Sequence, residues 1–348
     1  MGLHFANPFM IIFEKQVSIY TKVIDRNYLW YNIYIGTGVI FMDAFISWKV
    51  LGDAMLNQLE TEFPEVNFIR DVEAGREAEV AIVMPNFFVD KNFDKYSKLR
   101  FIQLLMAGYD SFDLKQAEAK DIIVCNAQDI FSISVAEDAI TKILVLNRNV
   151  KHYVMAMNNK EWKPIRKEPE LTGSVIGILG TGSIGKELAT KLKAFNTRVL
   201  GYGRKLKQVS GYDEIFTGET GLEYVLQNSD YVIVALPLTE TTYHLLDENR
   251  LNMMKETALL INVARGDIID QEALIKALRE KKIRGAGLDV TTPEPLSKDN
   301  ELWDLDNIFI TPHNASSSPY MQERLTELVR INLHRYLNKQ ELLFIISK

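Results

Sequence analysis

Cysteine is almost absent from this chain: Cys125 is the only one in 348 residues. That excludes an internal disulfide and any cysteine-rich metal site. Cys125 closes the apolar run Ile122-Ile123-Val124-Cys125 and reads as a small buried hydrophobe in a strand rather than as a nucleophile. Histidine is scarce as well. None of His4, His152, His244 and His334 stands at metal-ligand spacing from another His, Cys or acid, so no metal is expected. Positive charge is in deficit, with 40 Lys and Arg against 46 Asp and Glu and a net charge of -6. No basic run is interleaved with aromatics, so nucleic acid and anionic membrane surfaces are set aside as partners. Long apolar runs are missing too: Tyr28 to Met42 carries no charge but spans only about 15 residues, against the ~20 that a bilayer needs. A basic start followed by a small-residue cleavage site is lacking, which argues against a signal peptide, and the expected location is cytoplasmic.

Apolar residues make up 47% and charged residues 25%, the balance of a globular protein, and the length suits two domains of ordinary size. Residues 1–41 are rich in Ile, Tyr and Phe without a clear period and are expected to be an appendage, upstream of the native product. From Met42-Asp43-Ala44-Phe45-Ile46 onward, short apolar runs alternate with helical patterns. Strands are expected at Ala44–Trp48, Val66–Arg70, Val80–Met84, Phe101–Leu104 and Ile122–Cys125, with a helix over Leu51–Phe63. A long helix follows, from Ser134 to about Asn158, with Met155 and Met157 as packing residues. A polar break from Lys160 to Pro169 reads as an interdomain or subunit-contact segment. A second unit has strands at Ser174–Leu179, Arg198–Tyr202, Tyr231–Leu236, Ala258–Asn262, Gly285–Val290 and Asn307–Ile310. Helices at Ile184–Phe195, Gly221–Asn228 and Gln271–Lys281 separate most of them. Strands alternating with helices mean parallel sheets covered on both faces. The amphipathic helix Pro319–Asn338 is expected to return onto the first domain.

Between the apolar strand Val175–Leu179 and a helix stands Gly180-Thr181-Gly182-Ser183-Ile184-Gly185. In that setting the three glycines allow a tight turn, a close approach to a pyrophosphate, and close helix–strand packing. The helix start offers unpaired N–H groups to the phosphates, so a dinucleotide cofactor is expected. The next strand ends in Gly203-Arg204-Lys205, where an NAD site usually has an acid for the ribose 2′-hydroxyl. Arg204 and Lys205 suit a 2′-phosphate instead, which favours NADP(H) and leaves NAD(H) open. The alternative is that both are solvated loop charges.

In open α/β sheets ligands bind beyond the carboxyl ends of the strands. Standing there are Pro237-Leu238-Thr239, Val263-Ala264-Arg265-Gly266, Asp289, Glu294 and Thr311-Pro312-His313. An arginine, two carboxylates and a histidine on one rim suit hydride transfer to a 2-oxo acid. Arg265 offers a fork to a carboxylate and a carbonyl oxygen. His313 is the natural proton donor, with Glu294 to hold its ring. Asp289 either meets the nicotinamide side of the cofactor or caps its loop.

These motifs resemble the D-isomer-specific 2-hydroxyacid dehydrogenase family, over about Met42 to the C-terminus. The most specific piece is Ile261-Asn262-Val263-Ala264-Arg265-Gly266-Asp267-Ile268-Ile269-Asp270, followed by Gly287-Leu288-Asp289-Val290, Glu294-Pro295 and Thr311-Pro312-His313. The resemblance implies Arg265, Glu294 and His313 as the catalytic set. It also implies that Met106-Ala107-Gly108-Tyr109-Asp110 is a substrate loop, where the N–H groups of Ala107 and Gly108 hold the substrate carboxylate together with Arg265. The cofactor set then comprises Gly180, Thr181, Gly182, Ser183, Ile184, Arg204, Lys205, Leu236, Pro237, Thr242, Val263, Ala264, Asp289, His313 and Ala315. The implied architecture is two doubly wound parallel-sheet α/β domains, a Rossmann dinucleotide domain (139–314) inserted in a flavodoxin-like substrate domain (42–138 and 315–348). A homodimer is also implied, with the long segment after Ser134 in the contact.

Three departures stand out. The family often has His where this chain has Asp138, a position that reads as structural. The acid at Gly203 is missing. His313 is followed by Asn314-Ala315-Ser316 rather than a Gly-rich run. Glu294 argues against formate dehydrogenase, a relative with Gln there. The expected activity is reduction of a small 2-oxo acid, glyoxylate or hydroxypyruvate or similar, to the D-2-hydroxy acid with NADPH favoured over NADH. The rival from another class is a dinucleotide-sensing, non-catalytic interaction protein on the same fold, like the family's corepressors. An NAD-linked phosphoglycerate oxidiser is disfavoured, because no regulatory extension follows the last helix.

Overall fold

The computed structural model describes residues 42–88, 93–206 and 208–347. The reading of residues 1–41 as an appendage, and His4 with it, lies outside the described residues.

The first sheet is built from β1 (Met42–Ile46), β2 (Val66–Ile69), β3 (Val80–Val83), β4 (Phe101–Leu104) and β5 (Ile123–Cys125). Between them lie α1 (Trp48–Leu51), α2 (Asp53–Glu62) and α3 (Leu114–Glu118). β3 and β4 are buried at every position, as continuous apolar runs must be when both faces of a parallel sheet are covered. The order β2-β1-β3-β4-β5 is that of a flavodoxin-like sheet.

The second sheet carries β6 (Val175–Leu179), β7 (Arg198–Tyr202), β8 (Glu214–Phe216), β9 (Tyr231–Val234), β10 (Leu259–Asn262), β11 (Gly285–Leu288) and β12 (Ile308–Ile310). It runs β8-β7-β6-β9-β10-β11-β12, parallel throughout. This is the doubly wound dinucleotide order, whose direction of winding reverses between β6 and β9. Its helices are α6 (Ser183–Lys193), α7 (Gly218–Asn228), α8 (Glu248–Asn252) and α9 (Gln271–Arg279).

Before that sheet, the chain forms α4 (Ser132–Asn147) and α5 (Val150–Asn158) rather than one long helix. The break falls at Asn149, whose left-handed backbone (φ 48, ψ 40) an asparagine tolerates better than most residues. α4 packs on α6 and on β10, β11 and β12. Met155 and Met157 are exposed on α5 rather than packed. After the second sheet, α10 (Met321–Leu337) packs on α1 and α2 of the first, and its Asn332 donates to the buried Gln103 at 2.7 Å.

Two strands escape the hydrophobic pattern. β8 has three residues, none of them buried, so no apolar run marks it. β13 (Ile345–Ser347) adds to the edge of the first sheet antiparallel to β5, so that sheet is mixed rather than purely parallel. Ser347 fixes it there, its Oγ accepting from Val124 N–H at 3.0 Å.

Candidate active site

The glycine turn lies where the winding of the second sheet reverses. Gly180 has φ 120, and a Cβ there would stand 2.3 Å from the carbonyl oxygen of Ala235, beyond β9. Only glycine joins β6 to α6 by this path. At Gly182, the N-cap of α6, a Cβ would meet nothing within 4 Å, so the backbone faces open space at the start of the helix. The first N–H groups of a helix have no acceptor within it. The open Gly182 and the α6 terminus, formed by Ser183 and Ile184, therefore fit a pyrophosphate. Gly185 packs so tightly that its Cβ would meet the oxygen of Gly180 at 1.9 Å. The turn is tied further by the Tyr212 hydroxyl, which donates to that same oxygen at 3.2 Å. Burial pushes the Tyr212 pKa well above its ordinary range.

The end of β7 explains the missing acid. Gly203 is buried, and a Cβ there would stand 2.8 Å from Thr181 Oγ1, so a side chain at this position would push Thr181 aside. Arg204 and Lys205 follow, both exposed and neither paired with a carboxylate among the described residues. Beyond β9, Leu236 and Pro237 open a loop that Thr242 closes, its Oγ1 donating to the Pro237 oxygen at 2.7 Å and accepting from Thr239 N–H at 2.7 Å.

Three adjacent strands, β10, β11 and β12, present the rest of the rim. After β10, Val263 and Ala264 are buried, and Asn262 turns the chain. Its Oδ1 accepts from Ala264 N–H at 3.0 Å and its Nδ2 donates to the Arg265 oxygen at 2.9 Å. The Arg265 side chain is thereby launched across to the other sheet. Its Nε donates to Asp110 Oδ2 at 2.9 Å, its Nη2 lies 2.8 Å from the same oxygen, and its Nη1 donates to the Ala264 oxygen at 2.7 Å. Arg265 also lies flat on Gly108, where a Cβ would be 1.8 Å from Nη2.

That loop follows β4 and is held from behind. Met106 O accepts from Ala127 N–H at 3.0 Å, and Ala107 O accepts from Asn126 Nδ2 at 2.8 Å. In a trans peptide the N–H points opposite to the C=O. The N–H groups of Ala107 and Gly108 are thus turned the other way, and neither has an acceptor among the described residues.

After β12, His313 sits in the left-handed region at φ 49. Its Nδ1 is 2.6 Å from Glu294 Oε2, while Glu294 Oε1 accepts from Thr291 N–H at 3.2 Å. With Nδ1 held by the carboxylate, Nε2 is the nitrogen left to face a substrate. The Glu294 and Arg265 loops are locked together, since a Cβ on Gly266 would be 2.3 Å from the Thr291 oxygen and Thr292 donates to Asp267 at 3.0 Å. Asp289 is 2% exposed, and its carboxylate is engaged by the protein. It accepts from Thr311 Oγ1 at 2.6 Å, Asn314 N–H at 3.1 Å and buried Ala315 N–H at 3.1 Å. Of the two roles weighed for Asp289, the loop cap is the one these bonds describe.

A sequence model of the D-isomer specific 2-hydroxyacid dehydrogenase NAD binding domain matches residues 140–315. The glyoxylate reductase of Pyrococcus horikoshii is 38% identical over 305 residues, 85% of this chain and 88% of its own. The chain belongs to the D-isomer-specific 2-hydroxyacid dehydrogenase family. Two solved members of that family superpose well. One, from Aeromonas salmonicida, has a TM-score of 0.77 at 28% identity, covering 89% of this chain and 99% of its own. The other, from Xanthobacter autotrophicus Py2 in complex with NADPH and MES, has a TM-score of 0.75 at 27% identity over 88% and 98%. This dehydrogenase is accordingly a nicotinamide-dependent oxidoreductase of 2-hydroxy acids.

Four residues that shape the dehydrogenase's site were not singled out by their sequence. Asp110 lay inside the quoted substrate loop without a role, and Asn262 inside the most specific motif. Tyr212 gave no signal, because it reaches the glycine turn across 32 positions of chain. Lys142 did give one: it interrupts the apolar stripe Val135, Ala139, Ile143 of α4 and is fully buried. Among the described residues no group of His, Cys, Asp and Glu is arranged to hold a metal ion, and no helix is long and apolar enough to cross a membrane.

Proposed function

We propose that this dehydrogenase reduces a small 2-oxo acid, with glyoxylate and hydroxypyruvate as the leading substrates, to the D-2-hydroxy acid with NADPH as the preferred donor. The observation that carries this reading is the His313–Glu294 pair at 2.6 Å, which joins the loops after β12 and β11 on the same rim where the loop after β10 launches Arg265. The nicotinamide, when bound, supplies the hydride. The substrate carboxylate is received by the Ala107 and Gly108 N–H groups and by the open edge of the Arg265 fork. His313 holds a proton at Nε2 and gives it to the carbonyl oxygen as negative charge builds there. Glu294 accepts from Nδ1, which fixes the ring and leaves Nε2 as the nitrogen that meets the substrate. Arg265 stabilises the developing oxyanion. This role set gives the rim a catalytic purpose that a purely dinucleotide-sensing protein has no need for. The Pyrococcus horikoshii relative is named a glyoxylate reductase, which agrees with a small substrate.

The cofactor side rests on Gly180, Thr181, Gly182, Ser183 and Ile184 for the pyrophosphate, with Leu236, Pro237, Thr242, Val263, Ala264, His313 and Ala315 lining the path to the nicotinamide and Asp289 holding the loop that carries the last two. NADPH is favoured because Gly203 stands where an acid would be and is followed by two cations that no carboxylate pairs among the described residues. A panel of 2-oxo acids with both cofactors tests substrate and cofactor together. Turnover of glyoxylate or hydroxypyruvate with NADPH is expected to exceed that with NADH. The double variant Arg204→Ala/Lys205→Ala is expected to lose about tenfold to a hundredfold of kcat/KM for NADPH and little for NADH, the loss of one or two charge-assisted bonds to phosphate. A wild-type preference for NADH sinks the assignment.

The substrate domain is proposed as 42–138 with 315–348, and the dinucleotide domain as 139–314. The match of the family's NAD binding domain to 140–315 supports this division. The partner proposed is a second copy of the chain. α5 leaves Val150, Val154, Met155 and Met157 exposed, and Trp162 beyond it is 96% exposed, apolar side chains that a second copy would cover. Sedimentation velocity is expected to show a dimer that Met155→Glu/Met157→Glu converts to monomer; a monomeric wild type overturns the proposal.

A further inference from the structure

We infer that Lys142 is a positioning residue for His313, acting as the buried counter-ion of Asp289. The inference rests on the reading of His313 as the proton donor. Lys142 lies on α4 with 0% of its surface exposed, and its Nζ is 3.8 Å from Asp289 Oδ1. On its other side the ammonium is hydrogen-bonded to Asp138, one turn earlier on the same helix. β11 makes room for the stem: a Cβ on Gly287 would come within 2.8 Å of Lys142 Cβ and within 3.3 Å of its Cδ. A lysine is buried in this way only when its charge is matched, since an unpaired buried ammonium is strongly disfavoured.

What the charge does follows from the partners of Asp289. The side chain accepts from Thr311, Asn314 and Ala315, and the backbone oxygen accepts from His313 N–H at 2.8 Å. Four bonds from one residue thus hold the stretch 311–315, in which His313 keeps a left-handed backbone that a histidine adopts at a cost. The carboxylate receives all three donors only as an anion, because a protonated carboxyl gives up acceptor capacity. The buried Lys142 ammonium, 3.8 Å from that carboxylate, is the charge that matches it. The other titratable groups around the ammonium are few. Asp138 is on its own helix. Asp289 follows β11. α6 brings Glu187 and Lys191, and that lysine also pairs with Glu137 toward solvent. Among the described residues, the only carboxylates within ion-pair distance of the ammonium are Asp138 and Asp289.

The test is kcat against pH with saturating glyoxylate and NADPH for the wild type, Lys142→Met, Lys142→Met/Asp138→Asn and Asp138→Asn. The double variant leaves no orphaned Asp138 and so keeps the question open to measurement if the single variant folds poorly. In both lysine variants the acid limb is expected to move up by about one pH unit, so that kcat falls about tenfold on that limb and recovers to within about twofold of wild type above it. Asp138→Asn, which keeps the ammonium beside Asp289, is expected to show no upward shift. Hydrogen exchange of the Asn314 and Ala315 amides gives a readout independent of turnover. Relative to wild type they should exchange faster in the lysine variants at pH 6 and not at pH 8.5. Profiles parallel to wild type, an equal loss at every pH, or unchanged amide exchange overturns the inference. A wild type that turns over no 2-oxo acid overturns the proposed reaction instead, and the exchange experiment still decides the role of Lys142.

Discussion

Replacing His313 is expected to lower kcat by about 10²- to 10⁴-fold, the range for loss of a positioned general acid, while NADPH affinity by fluorescence titration stays within a few-fold of wild type. The choice of substitute matters here. His313 sits at φ 49, where alanine is strained and asparagine is tolerated. His313→Asn therefore separates loss of the proton from distortion of the loop, and both variants should fall together if the chemistry dominates. Glu294→Gln should lie between them and wild type. It keeps a group able to accept from Nδ1 at the 2.6 Å contact but loses the negative charge that makes that bond strong. If His313→Asn retains kcat within tenfold of wild type, another group donates the proton.

Arg265 carries the second large effect, and it should appear in kcat/KM. Arg265→Ala is expected to reduce kcat/KM for the 2-oxo acid by about 10³-fold or more, two charge-assisted bonds at about 1.5–3 kcal/mol each. Lysine should rescue little. A guanidinium has five donors in a rigid fork. Here Nε and Nη2 are turned to Asp110 and Nη1 to the Ala264 oxygen, which leaves the end-on edge between Nη1 and Nη2 for the substrate. A single ammonium cannot keep the bond to Asp110 and offer two parallel donors elsewhere. The measurement is a steady-state comparison of wild type, Arg265→Ala and Arg265→Lys across the 2-oxo acid panel. Near wild-type efficiency in the lysine variant removes the fork from the mechanism.

Much of this was legible in the sequence, for identifiable reasons. The runs Val80–Val83 and Tyr231–Val234 are buried on both faces, so they could be read as parallel strands without any period. Gly180 and Gly185 were readable because backbone atoms fill the space where their side chains would be. Arg265, Glu294 and His313 stood out through their positions after strands, and a carboxylate, a fork and an imidazole have few joint uses. What stayed hidden depended on distant partners. The three-residue β13 belongs to the first sheet only because α10 carries the chain back to β5. Asn149 could not be told from its helical neighbours, since a left-handed residue leaves no mark on periodicity. Lys142 shows in the sequence as a break in the apolar stripe of α4, but its partner across the sheet, Asp289, does not. Only the approach of β11 brings the two together.

The chain passes between the two sheets twice, and the passages touch: Ser134 Oγ at the start of α4 donates to the Ser316 oxygen at 3.3 Å. Each crossing is therefore braced by the other, and His313, three residues from Ser316, stands close to that brace. Arg265 reaches Asp110 and packs on Gly108 from the other sheet's loops, so the two sheets are tied at a second place, by a side chain of the site itself.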